Sequence, residues 1–138
     1  IKAKNYKEAL NCARKVLEFD IEKYGEEHKY TAADFSLIAS IYNKMKDHNK
    51  ELEYLESAQK ANPNSYYIPY TLGACHEKLN NHKKAIENYV LSASMLKDQK
   101  GLEDEDTKEA IQEAIRLAKE TDNIKILPDW IKEFDDAK

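Results

Sequence analysis

Apolar residues recur along this chain in steps of three and four, broken by short polar joints, the signature of consecutive amphipathic helices. The first set is Tyr6, Ala9, Leu10, Ala13, Val16 and Leu17, with Phe19 and Ile21 continuing it. It predicts one helix that ends near Gly25. Before it, the run from Ile1 to Leu10 reads as the end of one helix and the start of another. Gly25 to Thr31 form a connector, with Thr31 expected as an N-cap and Asp34 as its capping-box acceptor. Phe35, Ile38, Ala39, Ile41, Tyr42 and Met45 mark the next helix. Asp47 can cap a third, carrying Leu52, Tyr54, Leu55 and Ala58. The residue before a proline resists helical dihedrals, so Asn62-Pro63 should stop it.

Tyr66 to Lys97 hold two more helical patterns joined by the polar Asn80-Asn81. Pro69 is tolerable only because it falls near a first turn, where the missing N–H matters less. Ala85, Ile86, Tyr89, Val90, Ala93 and Leu96 make the cleanest stripe in the chain. Gly101 to Asp106 is an acidic linker, and Asp106 with Glu109 is expected to form a capping box. The stripe Ala110, Ile111, Ala114, Ile115 and Ala118 follows. A short last helix starts at Leu127-Pro128, with proline in the first helical position, and should bury Trp130, Ile131 and Phe134. The fold class is all-α.

Composition narrows the functional classes. Of 138 residues, 41% are apolar and 35% charged, and periodic apolar positions fit amphipathic helices better than disorder. With 3 glycines and 3 prolines there is too little turn chemistry for many short strands. The net charge is -4 with the signs interleaved, so the basic stripe of a nucleic-acid binder is missing. The longest nearly apolar run, Phe35 to Tyr42, is far below the ~18 residues that span a membrane, and no signal-peptide pattern opens the chain. Cys12 and Cys75 both fall on expected buried faces, which suits reduced core thiols in a cytoplasmic protein.

One period runs through the middle of the chain. Ala39 and Gly73 stand 34 residues apart, as do Tyr42 and His76. A small residue at 39 or 73 lets one helix approach its partner closely, Ala85 receives it, and Phe35, Tyr42 and Tyr89 fill the flanks. Leu72-Gly73, Ala85 with Tyr89, and the breaking Pro63 together resemble the tetratricopeptide (TPR) repeat family over residues 32–99. The resemblance implies a right-handed superhelix (α-solenoid) of antiparallel helix pairs in one domain, residues 1–138. Residues 1–31 would be the second helix of an incomplete first unit plus its connector, 32–65 and 66–99 two units, and 100–138 a degenerate unit or capping helices. Ala9 and its counterpart Glu51 are 42 residues apart, and this lengthened unit resembles kinesin-light-chain-type repeats, with Lys29 where those usually have proline. Glu51 replaces a small buried residue, Pro69 a large aromatic, and Ser92 an alanine. The first unit lacks its leading helix, so either the chain is cut from a longer protein or something else covers Leu10 and Val16.

Catalytic chemistry finds little purchase. His28, His48, His76 and His82 show no metal spacing, and His76-Glu77 lacks the second histidine of a helical zinc site, so His76 reads as structural. Glu103 to Asp106 is too compact for an EF-hand. Isolated glycines cannot cradle a phosphate, and no serine or cysteine sits in the context of an activated nucleophile. No enzyme activity and no cofactor are expected.

The resemblance implies a concave groove lined by the first helix of each unit. Its positions here are Ala33, Ser36, Leu37, Ser40 and Asn43, then Tyr67, Tyr70, Thr71, Ala74 and Lys78. Tyr67 and Tyr70 are i,i+3 neighbours, and tyrosine offers area plus a polar tip at interfaces, although both could equally pack against neighbouring helices. Chaperone-binding members hold a peptide's terminal carboxylate with a lysine–asparagine clamp. Ser36, Leu37, Tyr70 and Thr71 cannot supply that clamp, so an EEVD-type partner is disfavoured. The expected function is a protein- or peptide-binding scaffold. Its rivals are a structural segment stacked on further repeats of the same parent protein, and a regulatory domain attached to a catalytic one.

Overall fold

The computed structural model describes residues 3–136, and the regular elements among them are helical. In order they are α1 (Ala3–Tyr24), α2 (Lys29–Lys44), α3 (His48–Ala61), α4 (Tyr67–Lys78), α5 (His82–Lys100) and α6 (Glu105–Glu120). A 3-10 turn (Ile124–Ile126) and α7 (Asp129–Asp136) complete the chain. They form two compact units, residues 1–68 and 69–138, which divide in the first turn of α4. Within each unit helices pack on their chain neighbours, the local arrangement of a TPR-like helical solenoid.

In the first unit α1 runs unbroken from Ala3, so the junction expected before Leu10 is absent among the described residues; Ile1 and Lys2 lie outside them. Gly25 ends the helix with φ 91, a left-handed conformation that costs glycine little. The cap of α2 is His28, not Thr31. The His28 imidazole accepts a hydrogen bond from the Tyr30 N–H at 3.1 Å. Thr31 lies inside the first turn, fully buried, and its hydroxyl is spent on the Gly25 carbonyl at 2.7 Å. That bond joins the end of α1 to the start of α2, while Tyr6 Oη donates to the Lys44 carbonyl at the other end, so the two helices run antiparallel. Between them Leu10, Ala13, Ile38, Ile41 and Tyr42 form a core flanked by Tyr6, Ala9, Leu17 and Tyr54.

Leu10 is thus covered by α2, but Cys12, Val16 and Phe19 are exposed, contrary to the buried face expected for them. Their i, i+4, i+7 spacing puts them on a second stripe beside the one that α2 covers. Asp47 caps α3 as expected, its carboxylate accepting from the Lys50 N–H at 3.2 Å, and Asn62 ends that helix. Tyr54 stacks on Tyr42 with ring centroids 5.6 Å apart, fastening α3 to α2.

The second unit is built around small residues. Pro69 is buried in the first turn of α4, where its missing N–H breaks no helical bond. A Cβ on Gly73 would lie 2.8 Å from the Tyr89 ring, so the close approach of α4 and α5 needs glycine there. Asn80, with φ 61, turns the chain between them. Ala85, Ala93, Ala110, Ala114 and Ala118 are fully buried along α5 and α6.

Two expectations fail at the ends of these helices. Asp104 caps α6, accepting from the Asp106 N–H at 2.9 Å, so the Asp106–Glu109 capping box does not form. Asp106 already lies in the helix and pairs with Lys100 at 3.2 Å. Pro128 precedes α7 by one residue, its carbonyl accepting from the N–H groups of Ile131 and Lys132. Of the residues expected to be buried there, Ile131 is, whereas Trp130 and Phe134 are half-buried. A helix of two turns covers one stripe only, and the Lys97 ammonium sits 4.3 Å from the Trp130 ring centroid on the open side.

Candidate protein-binding face

The outward side of α2 follows from what its inward side must do. Thr31, Ala32, Ile38, Ala39, Ile41 and Tyr42 are buried against α1 and α3. Ala33, Leu37 and Ser40, at steps of four and three, are left facing solvent, with Ser36 half-buried between them. Leu37 is 52% exposed. Beside this face lies an open cavity of about 280 Å³, floored by Ala32 and Ile68 and rimmed by Lys29, Ala33, Ser36, Asn62, Ser65 and Tyr67. Ala33, Ser36 and Tyr67 therefore meet around one depression, and Tyr67 is 65% exposed. Lys29, Asn62 and Ser65 were not anticipated. They come from a helix start and from the loop after α3, where no periodicity marks a face.

Asn43, the last of the α2 positions, is engaged inside its own unit. Its amide donates to both oxygens of Glu51, at 3.1 and 3.2 Å, while His48 Nδ1 lies 2.9 Å from the same carboxylate. Glu51 is 3% exposed, a carboxylate made tolerable by these bonds.

The α4 positions diverge. Tyr70 is half-buried, packs edge-on against Tyr89 at 5.4 Å, and donates from its hydroxyl to Glu109 at 3.4 Å. Burial, with the charges of Glu109 and Glu113, pushes its phenol up to about 12. Thr71 and Ala74 are half-buried and Lys78 is exposed at the end of the helix. The two tyrosines thus differ: Tyr67 faces solvent and Tyr70 belongs to a side-chain network.

Arg116 is the hub of that network. It donates to Glu77 at 2.8 Å, to Glu113 at 3.0 Å and to Glu120 at 3.0 Å. Tyr89 Oη donates to Glu77 at 3.0 Å. Burial raises the Glu77 carboxyl, but the bonds from Arg116 and Tyr89 outweigh it and hold the group below its ordinary value. Burial and the bonded Glu77 push the Tyr89 phenol up in turn. The i,i+3 and i,i+4 spacing of Glu113, Arg116 and Glu120 was legible in the sequence; the long-range link to Glu77 was not.

Among the described residues no group of three or more His, Cys, Asp or Glu could hold a metal ion. No described helix is long and apolar enough to cross a membrane. Among known families, the tetratricopeptide repeat model matches residues 1–64. The match covers α1, the connector, α2 and α3, the stretch whose 42-residue spacing and Glu51 depart from the standard repeat. Repeats of this family generally mediate protein–protein interactions. No curated protein matches the chain.

Proposed function

We propose that the chain is a non-catalytic TPR scaffold that binds a protein or peptide through the first-helix faces of its repeat units, residues 32–65 and 66–99. The observation that carries this reading is the meeting of Ala33, Ser36 and Tyr67 around a shallow depression in the first unit, with the exposed Leu37 on the same helix as Ala33 and Ser36. An apolar side chain and an exposed tyrosine beside polar groups offer the anchor-and-rim composition of a binding surface. Ser40 extends the proposed face in the first unit, Thr71, Ala74 and Lys78 are the proposed face positions of the second unit by itself, and Asn43 and Tyr70 contribute through the networks that hold them. The lengthened unit before α2, most of it carried by the 22-residue α1, supports the kinesin-light-chain-like subtype. Two cysteines, one exposed and one buried, suit a reducing, cytoplasmic setting, and the interleaved charge favours protein over nucleic acid.

The test is affinity capture with the parent protein, comparing wild type with Leu37→Asp and with Tyr67→Ala. Partner recovery should fall about tenfold or more while helical content and melting stay unchanged. Undiminished recovery by both folded variants would move the binding face elsewhere.

A second reading is favoured by the exposed stripe Cys12, Val16 and Phe19 on α1. Such a stripe suits a structural segment stacked on further repeats of the same parent. Val16→Ser with Phe19→Ser should then leave the isolated chain's stability unchanged but destabilise the longer protein.

A further inference from the structure

We propose that the outer stripe of α1 is an interface between two copies of this chain, joined as an antiparallel α1–α1 pair. Glu8, Cys12, Val16, Phe19 and Lys23 follow one another at steps of four, four, three and four, so they share one narrow stripe of the helix. All five are exposed, beside the face that α2 covers. The middle of the stripe is apolar, with Val16 49% and Phe19 61% exposed next to the small Cys12. Its ends carry opposite charges. The Lys23 ammonium lies 5.8 Å from the Phe19 ring centroid, at the border of the apolar patch.

The order acid, apolar, base decides what fits. Cys12 stands four residues inside Glu8, and Phe19 four residues inside Lys23. With Glu8 of one copy opposite Lys23 of the other, Cys12 therefore falls opposite Phe19, and Val16 lies beside the two-fold axis. The stripe is its own complement, and an isologous contact uses each pair twice. The large Phe19 ring meets the small Cys12 side chain, while an ion pair closes each end. A parallel pair would set Glu8 against Glu8 and Lys23 against Lys23, and facing like charges disfavour it.

The seam from Glu8 to Lys23 is about 22 Å long at 1.5 Å per residue. With three apolar side chains a copy, it sits at the small end of specific interfaces, where association is weak and follows concentration. A further repeat of the same parent protein would compete for this stripe. Pairing would present the proposed binding face twice, yet it does not depend on what that face binds.

Sedimentation equilibrium of the 138-residue chain tests the pairing. The apparent mass should rise from one chain toward two as concentration increases from micromolar to about 1 mM. Glu8→Lys alone and Lys23→Glu alone should each weaken association at least severalfold, and the two together should restore it, because each charge again faces its opposite. Phe19→Asp should abolish it. Cross-linking reads the register: on oxidation, Val16→Cys in a Cys12→Ser background should give a disulfide-linked dimer. The wild type should not, because its two Cys12 residues stand about 10 Å apart along the helices, beyond the reach of a disulfide. A chain that stays monomeric at every concentration would overturn the proposal and leave the stripe to a further repeat. So would a dimer that Glu8→Lys leaves intact, a double exchange that fails to restore association, or a Cys12–Cys12 cross-link. Every substituted side chain is exposed, so helical content should hold; should Phe19→Asp misfold, the charge exchange decides the matter.

Discussion

The two units carry different residues at equivalent places of the 34-residue period, and they solve one packing problem in two ways. Positions 43, 48 and 51 in the first correspond to 77, 82 and 85 in the second. Where the second unit keeps a small residue, Ala85, the first has Glu51, almost fully buried. That carboxylate is accommodated because Asn43 and His48 turn toward it. With alanine at 85 there is no such acceptor, and His82 Nδ1 is buried with no hydrogen-bond partner among the described residues. Glu77, the counterpart of Asn43, instead takes Tyr89 and Arg116. The comparison teaches that a repeat position specifies volume and contact direction, while its polar chemistry is settled by whichever neighbours can reach it.

The largest effect should come from the tightest contact. Gly73→Leu must displace Tyr89, whose ring lies 2.8 Å from where a Cβ would stand, and should cost about 1–3 kcal/mol. An unchanged denaturation midpoint would mean that α4 and α5 do not approach as closely as described.

Glu51→Ala would give the first unit the residue that the second carries at the same place. It leaves the Asn43 amide and His48 without their acceptor and should destabilise by about 1–3 kcal/mol in chemical denaturation. A neutral outcome would show that the buried carboxylate is only tolerated, not used.

Arg116→Met keeps the aliphatic bulk but dissolves the hub of the second unit. Because the arginine is about one-third exposed, solvent screening limits the loss to about 1 kcal/mol. The loss should shrink in high salt; a salt-independent loss would assign it to packing instead.

Acidification should act on the two units with opposite sign. Asp34 binds its proton more tightly when folded, so its contribution is fully present below pH 3.8 and is lost as pH rises through about 6. Screening reduces this to about 1 kcal/mol. The Glu77 carboxyl is held below its ordinary value of 4.5, so its contribution is present above that value and lost as pH falls through the lowered one. Site-resolved hydrogen exchange between pH 3 and 7 would read both slopes, and slopes of equal sign would count against one of the two assignments.

The sequence by itself determined the helical succession and most of its boundaries. Apolar steps of three and four have no other economical solution, and Asp47, Gly25 and Pro63 act through local geometry that needs no distant partner. It also marked Ala39, Gly73 and Ala85, since close helix approach leaves room for little else. Caps were misplaced where a side chain had a better use elsewhere: Thr31 reaches back to Gly25, and Asp106 reaches Lys100. The exposure of Cys12, Val16 and Phe19 was illegible, because periodicity marks an apolar stripe but not whether a neighbour exists to cover it. The engagement of Tyr70 with Tyr89 and Glu109 and the link from Glu77 to Arg116 were decided by tertiary structure alone. Each joins residues from separate helices, and only packing sets which polar groups from distant turns come within a hydrogen bond of one another.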